Sequence, residues 1–380
     1  MSHCQRHHAP DIILTGGIPP RPAEPKQAAR AAAIKPTLQQ LYIAQWTSTV
    51  PGSTPISNRA ELAAISKNLN GKYHLVADID LSDGAWVPLG DGNKPFTGVF
   101  DGQGYVLRNL TITGRYEYAG LFGKASTDAT IKNIGLEGTK INLDSGSYLG
   151  SICGYGGIIT NCYNTGSVSC SQYYSIAFDS VVCVGGISGR GSSVSFCYNT
   201  GAVAASASTP NASYTSYAYA GGVIGVNTGT INNCYNTGSV IASASNTDKY
   251  WSMAEAFSCT GGISGRNIAN SSISNSYNTS SVTTFVDANT SKSYIGGVSG
   301  YNEDNSAVRN SYWNIDSKQT INGNDLGNTE KKGLGYGVGQ AAALTSSQMK
   351  TQSSFPSWDF NTVWTFTSGK NNGYPVLRGF

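Results

Sequence analysis

Residues 221–240, GGVIGVNTGTINNCYNTGSV, decide the fold, because both halves of this stretch recur along the chain. The first half is a Gly-Gly pair, two further residues and a third glycine, and it recurs at 185–189, 261–265 and 296–300. The second half carries a tyrosine that recurs as Tyr163, Tyr198, Tyr235, Tyr277 and Tyr312. These tyrosines are 35, 37, 42 and 35 residues apart. Self-similarity at such a period indicates a repeat architecture in which each unit stacks on the next.

Each period holds about three short strand-like runs, separated by glycine and asparagine. We therefore predict an all-β chain that forms a right-handed parallel β-helix (a β-solenoid), with one coil per period and short capping helices. No helical pattern of roughly 10–15 residues separates the runs, which excludes repeated strand–helix–strand units. A β-propeller, with about four strands in each blade, is the alternative architecture.

The composition suits stacked strands and tight turns. The chain has 46 Gly and 22 Tyr, and only 12% of its residues are charged; glycine and asparagine both favour turns. The net charge of +3 comes from residues 1–40, which leaves 20 basic and 20 acidic residues in the rest of the chain. We therefore expect no nucleic-acid partner. No apolar run is long enough to predict a transmembrane helix, and residues 1–14 lack the order of a secretory signal.

The sequence predicts four segments. Residues 1–40, rich in proline, form a disordered tail or linker. Residues 41–118 hold a short helix at 58–69 and the first coils or cap, and residues 119–315 form the repeat β-helix. The aromatic-rich residues 316–380 cover the last open coil. Where such caps are incomplete, free strand edges would allow end-to-end self-association.

Residues 221–240 resemble the GLUG repeat, whose pattern is close to Gly-Gly-hydrophobic-x-Gly-x-Asn-x-Gly-x-Ile-x-Asn-Cys-Tyr-x-Thr-Gly-x-Val. The copies at 185–203 and 261–282 match it with small departures, such as Ser276 in place of the cysteine. With its flanking regions, the resemblance covers residues 57–380. It implies a right-handed β-helix from a bacterial surface or secreted protein, a class that includes adhesins and non-catalytic parts of large peptidases. An extracellular or cell-surface location is therefore expected.

The sequence contains no recognisable catalytic constellation. Its four histidines are His3, His7, His8 and His74, and no His-Glu-x-x-His motif is present. A serine triad would have to use His74, and no serine lies in a nucleophile-elbow motif. A glycoside hydrolase needs two carboxylates that face each other across a cleft, whereas a polysaccharide lyase needs a basic side chain beside acidic ligands for a cation. The candidates are Asp78, Asp80, Asp101 and Asp179.

We expect neither a cofactor nor a functional metal site. A cluster in the predicted tail consists of His3, Cys4, His7 and His8. Exposed terminal side chains of this kind bind metal only adventitiously. Three cysteines occupy matched repeat positions, namely Cys162, Cys197 and Cys234. Their in-register side chains suit disulfide geometry poorly, so we predict a ladder of free, half-buried thiols, with a disulfide or a metal line as the alternative.

Two sets of residues are predicted to bind a ligand. The first belongs to the column of matched positions Lys124, Tyr155, Arg190, Val226, Arg266 and Tyr301, of which Arg190, Arg266 and Tyr301 are the candidates. The second set lies in predicted inter-repeat loops at 170–184, 204–219 and 241–259, where aromatic residues on a rigid scaffold are common recognition elements. It comprises Tyr173, Tyr174, Tyr214, Tyr217, Tyr219, Tyr250 and Trp251.

Other repeat columns are assigned structural roles. The repeat tyrosines are expected to pack within the wall and hold the coils in register. A solvent-facing column that offers its rings to a ligand is the alternative, because the strand register around residues 161–163 is ambiguous. The matched asparagines are expected to form turn ladders, and they are Asn164, Asn199, Asn236 and Asn278.

Three functions remain open from the sequence. The first is a non-enzymatic, adhesin-like protein at the bacterial surface or secreted from the cell, which binds a glycan or a host or cell-surface protein through its loops. The second is a carbohydrate-active enzyme, a glycoside hydrolase or polysaccharide lyase, built on a β-helix. The third is a structural spacer that has no ligand of its own.

Overall fold

The predicted parallel β-helix is confirmed by the structure, a computed structural model that describes residues 50–173, 178–211, 213–248 and 254–380. Successive coils pair in parallel, and each repeat coil contributes to three sheets that run along the helix axis. We name them the wide sheet, the eight-stranded sheet and the six-stranded sheet. The stacking of equivalent strands explains why one period of sequence specifies one coil.

The wide sheet collects one or more strands from every coil. Its strands are Thr54–Ile56, Lys72–Leu75, Ile79–Asp80, Val99–Asp101, Val106–Arg108, Phe122–Lys124, Thr130–Glu137, Cys153–Tyr155, Ile158–Asn164, Ser188–Ser195, Tyr198–Asn199, Ile224–Asn232, Tyr235–Asn236, Ser264–Asn267, Ser272–Ser274, Tyr277–Asn278, Ser299–Asn302, Ala307–Arg309, Ser311–Asn314, Leu334–Tyr336 and Ala341–Leu344.

The two narrower sheets complete each coil. The eight-stranded sheet contains Thr111–Arg115, Lys140–Ser145, Ser167–Tyr173, Val203–Thr209, Val240–Asn246, Val282–Asp287, Gln319–Ile321 and Asn324–Asp325. The six-stranded sheet contains Tyr118–Ala119, Tyr148–Gly150, Ser180–Gly185, Ser216–Gly221, Glu255–Gly261 and Thr290–Gly296.

The core is a stack of small and aliphatic side chains that point into the coils. One column of the wide sheet shows the pattern, with Ile159, Val194, Ile231, Ile273 and Val308 in parallel register and at most 2% exposed. Burying such a column stabilises the stack by roughly 25 cal/mol for each Å² of apolar surface removed from water.

The matched asparagines form the predicted turn ladder. The Nδ2 atom of Asn199 donates to Asn236 Oδ1 at 2.9 Å, and Asn236 donates to Asn278 Oδ1 at 2.9 Å. Each side chain also bonds the backbone two residues later, as Asn236 does with Gly238. Because all of these amides are buried, the ladder satisfies polar groups that would otherwise destabilise the turn.

The three matched cysteines are free and buried, and they lie inside the coils. The Sγ atoms of Cys162 and Cys197 lie 3.2 Å and 3.1 Å from the backbone oxygens of Thr160 and Ser195. The prediction that these thiols are free is confirmed, but the prediction that they are half-buried was wrong, because all three are fully buried. These thiols act as small apolar side chains of the core.

The amino-terminal helix is shorter than predicted. Asn58 is the N-cap of a helix at Arg59–Ala64, and its Oδ1 accepts from the Glu61 amide at 3.0 Å. A 3₁₀ turn at Ile65–Lys67 ends the element before Leu69. Further 3₁₀ turns occupy Gln348–Lys350, Gln352–Ser354 and Asn371–Gly373.

The coils continue past residue 315. Leu334–Tyr336 pairs with Ser299–Asn302, and Ala341–Leu344 pairs with Ser311–Asn314, so the residues after 315 add part of another coil before any cap begins. The expectation that all of 316–380 covers the end of the helix was therefore wrong.

The C-terminal segment, residues 345–380, lies along the outer side of the wide sheet over the tyrosine ladder. The rings of Tyr163, Tyr198, Tyr235 and Tyr277 stack at 4.8–5.1 Å between neighbouring centroids. Trp358 and Trp364 pack on Tyr277, with ring centroids 5.9 Å and 5.8 Å away, and Phe380 meets Tyr198 at 5.1 Å. The ladder is therefore outside the coils, and the C-terminal segment buries much of it. A short antiparallel pair, Trp364–Thr365 with Val376–Leu377, belongs to this segment.

Candidate binding groove

A concave corner runs along the axis where the six-stranded sheet meets the wide sheet. In each repeat, a Gly-Gly pair ends a strand of the six-stranded sheet, and a strand of the wide sheet begins two or three residues later. A Cβ on Gly222 would lie 2.1 Å from the Gly262 backbone oxygen and 2.2 Å from Asn236 Cγ. Only glycine therefore allows the coils to approach so closely at this corner.

The wide sheet lines one wall of the corner with the matched column predicted from the sequence. Its strand register places Lys124, Tyr155, Arg190, Val226, Arg266 and Tyr301 on successive coils. The six-stranded sheet lines the facing wall, where the register places Tyr118, Tyr148, Cys183, Tyr219, Cys259 and Tyr294 on successive coils. We call the corner between these two columns the axial groove.

Part of the axial groove forms a pocket of about 670 Å³. A third column of the six-stranded sheet forms its outer rim, with Val181, Tyr217, Phe257 and Lys292 in register. Ile268 and Glu303 border the opposite side. A space of this size is in the range of small-molecule and oligomer binding sites.

Arg266 is held in place by charge and by an aromatic ring. Its Nε donates to Glu303 Oε1 at 2.7 Å, and its Nη1 donates to the Tyr219 hydroxyl at 3.2 Å. Its guanidinium carbon lies 5.5 Å from the Tyr219 ring centroid and 5.8 Å from that of Tyr301. Burial raises the pKa of Tyr219, so this phenol keeps its proton. The contacts fix Arg266 as a rigid part of the wall.

Arg190 is a cation without a carboxylate partner among the described residues. Its guanidinium carbon lies 5.9 Å from the ring centroid of Tyr155. Its Nε atom is buried and has no hydrogen-bond partner among the described residues. Since the charge faces the groove and is not neutralised there, an anionic group of a ligand would complete its contacts.

The rim presents a half-exposed aromatic stack. Tyr217 and Phe257 lie 5.2 Å apart with their rings inclined by 19°. Lys292, which is exposed, places its Nζ 5.1 Å from the Phe257 ring centroid. Flat ring faces beside a cation are a surface on which a sugar ring can stack while its substituents bond to the charge.

Five of the predicted binding residues meet in this groove, and they are Arg190, Tyr217, Tyr219, Arg266 and Tyr301. Two others lie apart from it. Tyr173, 60% exposed, ends a strand of the eight-stranded sheet, and Tyr214 is half-buried near a turn. Tyr174, Tyr250 and Trp251 lie outside the described residues.

The prediction that Tyr217 and Tyr219 belong to a loop was wrong. Both lie in the strand Ser216–Gly221, where Ala218 and Ala220 point into the core and the two tyrosines point out. Sequence reasoning also missed several lining residues, namely Tyr148, Phe257, Lys292, Tyr294 and Glu303. The alternation of small and aromatic residues in 216–220 was the signal that could have found the strand.

The four candidate catalytic carboxylates serve local structure. Asp78 bonds Arg108 Nη1 at 3.0 Å, and Asp80 accepts from the Ser82 amide at 3.0 Å. The remaining two hold other segments: Asp101 is buried beside Lys132 Nζ at 3.0 Å, and Asp179 accepts from the Thr215 amide at 2.8 Å. None of them lines the groove.

No group of three or more histidine, cysteine, aspartate or glutamate side chains is placed to hold a metal ion in the described part of the chain. In the same part, no helix has the length and apolarity needed to cross a bilayer.

Comparisons with known proteins establish the fold but not a family. No family model matches the chain. Halomucin from Haloquadratum walsbyi (strain DSM 16790 / HBSQ001) is 30% identical over 131 residues, which are 30% of this chain and 1% of Halomucin. The chain thus spans about 1% of the length of that curated relative.

One solved structure shares the fold over most of both chains. It is provisionally described as an immunoglobulin A1 protease from Bacteroides ovatus, and it has a TM-score of 0.60 and 21% identity. The alignment covers 86% of this chain and 92% of that one. A second structure, an IgA1 protease, aligns with a TM-score of 0.45 and 17% identity, over 78% of this chain and 22% of its own. At 21% identity, the likeness to the first structure shows the β-helix fold and says nothing about activity.

Proposed function

We propose that the protein is a cell-surface or secreted β-helix that binds glycans in the axial groove and catalyses no reaction. The observation that carries the proposal is the meeting of tyrosine rings with Arg190 and Arg266 in one concave corner. Aromatic rings offer apolar faces for stacking, and guanidinium groups donate hydrogen bonds to hydroxyl and carboxylate oxygens. The resemblance of the repeats to GLUG repeats supports the surface or secreted location.

The backbone around the groove favours a sugar over an extended peptide. The strands Ser180–Gly185, Ser216–Gly221 and Glu255–Gly261 each pair on both sides with strands of neighbouring coils. A peptide that adds to a sheet needs unpaired backbone groups at an edge. Because these strands offer none, recognition rests on side chains, which suits the hydroxyl groups and ring faces of a glycan.

The carboxylates of the groove support a binding role. Glu303 is the one carboxylate among the lining residues, and its two oxygens accept from Arg266 and from the Ala269 amide. Glycoside hydrolysis by acid–base catalysis uses two carboxylates about 5–10 Å apart. The lining residues do not supply such a pair.

The test is a glycan-array screen of the full chain, with mass spectrometry of every glycan that binds. We expect specific binding without cleavage. The double variant Tyr217→Ala/Phe257→Ala removes the stack on the rim and should weaken binding at least about tenfold, or about 1.4 kcal/mol. The matched control is Tyr173→Ala, which removes an exposed tyrosine outside the groove and should leave affinity unchanged.

Three results would overturn the proposal. Cleaved glycan would show that the protein is an enzyme and would redirect attention to its carboxylates. Equal affinity in the double variant and the control would place any glycan site outside the axial groove. Absence of binding to every glycan would leave a structural spacer as the better account.

A further inference from the structure

The cations of the axial groove recur on alternate coils. Along the wall formed by the wide sheet, Lys124, Arg190 and Arg266 alternate with the uncharged residues Tyr155 and Val226. Neighbouring parallel strands lie about 4.8 Å apart, so consecutive cations are separated by roughly 9.6 Å along the axis. The wall therefore repeats its charge at every second coil.

On the facing wall, small and large side chains alternate from coil to coil in step with the arginines. Coils that carry an arginine have a small partner on the six-stranded sheet, since Cys183 accompanies Arg190 and Cys259 accompanies Arg266. The coil between them reverses the arrangement, with Tyr219 opposite Val226. From Tyr148 to Tyr294 both walls therefore alternate with a period of two coils. The coil of Lys124 departs from this pattern, because its residue on the facing wall is the large Tyr118.

The side chains that line the pocket of about 670 Å³ in the groove also carry a net positive charge. Its lining residues include Arg190, Arg266 and Lys292, against the single carboxylate of Glu303. Arg266 is paired with Glu303 at 2.5 Å, whereas Arg190 has no ion-pair partner in the described part of the chain. Since residues 41–380 carry equal numbers of basic and acidic residues, this excess is local to the groove.

We propose that the ligand is a linear acidic polysaccharide that lies along the helix axis and carries a carboxylate on alternate sugars. This inference rests on the proposed glycan-binding function and names the class of glycan that is bound. Two coils span about the length of a disaccharide in an extended chain. The spacing between carboxylates that occur once per disaccharide therefore matches the spacing between cations that occur once per two coils. Between the two arginines, the intervening sugar stacks on the half-exposed Tyr217 of the uncharged coil, since Tyr219 is buried beneath Arg266. Arg190 binds a carboxylate directly, because the planar guanidinium group can donate two parallel hydrogen bonds to the two carboxylate oxygens.

The test measures affinity by isothermal titration calorimetry with three sets of length-matched oligosaccharides and the full chain. Hyaluronan oligosaccharides carry a carboxylate on alternate sugars, polygalacturonate oligosaccharides carry one on every sugar, and chitin oligosaccharides are neutral. We expect hyaluronan to bind at least tenfold more tightly than either of the others. Its affinity should fall as salt concentration rises, since charge pairs at an accessible groove are screened.

Variants of Arg190 separate charge recognition from stacking. Arg190→Gln should weaken hyaluronan binding at least tenfold and weaken chitin binding much less, because a hydroxyl group loses one hydrogen bond whereas a carboxylate also loses its charge partner. Arg190→Lys should recover part of the loss of hyaluronan binding. The matched control is Arg309→Gln, at an exposed arginine that does not line the groove, which should bind as the unaltered chain does. Equal thermal unfolding temperatures of the variants would confirm that each is folded.

The outcomes separate the two proposals. Equal affinity for hyaluronan and chitin, unaffected by Arg190→Gln, would overturn the acidic ligand and leave the glycan-binding function standing. Tighter binding of polygalacturonate would overturn the two-coil spacing. Absence of binding to all three, together with a silent glycan array, would overturn the glycan-binding function as well.

Discussion

At the corner of each repeat, close packing and not backbone conformation is the reason that glycine is required. Gly222 does not adopt a positive φ; it is required because Gly262 and the Asn236 side chain leave no room for a Cβ. The left-handed bends fall instead on residues that precede the Cys-Tyr pair, such as Asn233 with φ of 52°. Asparagine tolerates this conformation better than other residues that have a side chain.

Phe196 occupies the same bend with φ of 52°, where an asparagine stands in most other coils. A bulky side chain in this region is strained. The sequence shows phenylalanine where neighbouring repeats have asparagine, but the backbone conformation that makes this substitution costly is visible only in the structure.

Thiol reactivity tests the burial of the cysteines. Burial raises the pKa of Cys153, Cys183 and Cys259 to about 12, and it also raises the pKa of Cys197. Thiolate is the reactive form, so we expect the seven described cysteines to resist Ellman's reagent in the folded protein at pH 8. In guanidinium chloride all eight cysteines of the chain should react.

The pH dependence of stability follows from the same burial. An unfolded thiol loses its proton above about pH 8.5, whereas the buried thiols keep theirs to about pH 12. Between these values the unfolded chain binds fewer protons than the folded chain, so stability should fall as pH rises. Rapid reaction of several thiols in the native protein, or stability that rises across this window, would contradict the assigned burial.

At the scale of elements, the strands of the six-stranded sheet were the least predictable. Their inward positions hold Ala218, Ala220, Ser258 and Thr260 rather than large apolar residues. Small inward residues fit because the six-stranded and eight-stranded sheets pack closely, and they weaken the hydrophobic alternation that identifies a strand. The same feature made Tyr217 resemble a loop residue.

The C-terminal segment shows what the sequence could and could not reveal about a cap. Its aromatic content marked a non-repeating element, and in the structure the Thr345 amide donates to Gln348 Oε1 at 2.8 Å where the segment begins. The surface that it covers depends on which way the repeat tyrosines face. The Asn-Cys-Tyr pattern left this open, because a bend at Asn161 or Asn233 changes the face that follows.

Replacement of Trp364 tests the docking of this segment. Trp364 is fully buried, and its ring lies 4.3 Å from that of Trp358. Trp364→Ala should reduce the free energy of unfolding of the segment by about 3–5 kcal/mol. Hydrogen exchange should then show lost protection over residues 345–380, with the strands of the coils still protected.

Trp364→Phe is the matched control. It keeps an aromatic ring and removes an Nε1 donor that has no hydrogen-bond partner among the described residues, so it should cost much less than the alanine variant. If Trp364→Ala unfolds the coils and the segment together, the segment is an integral part of the helix and not a separately docked element.

At the scale of the whole molecule, the repeat period was sufficient to predict the β-helix, because stacking equivalent residues requires one coil per period. It also placed Arg190 and Arg266 in one column, which the strand register bears out. The groove itself could not be predicted. Its walls belong to two sheets, and Cys183 faces Arg190 only because of the angle at which these sheets meet at the Gly-Gly pair. No sequence pattern specifies that angle.

A crystal structure of the full chain with a bound hyaluronan oligosaccharide tests the central claim most directly. The account predicts a sugar chain along the axial groove, parallel to the helix axis, with a carboxylate on Arg190 and sugar rings against the groove tyrosines. A sugar chain bound on another face, or one that crosses the coils at right angles to the axis, would contradict it.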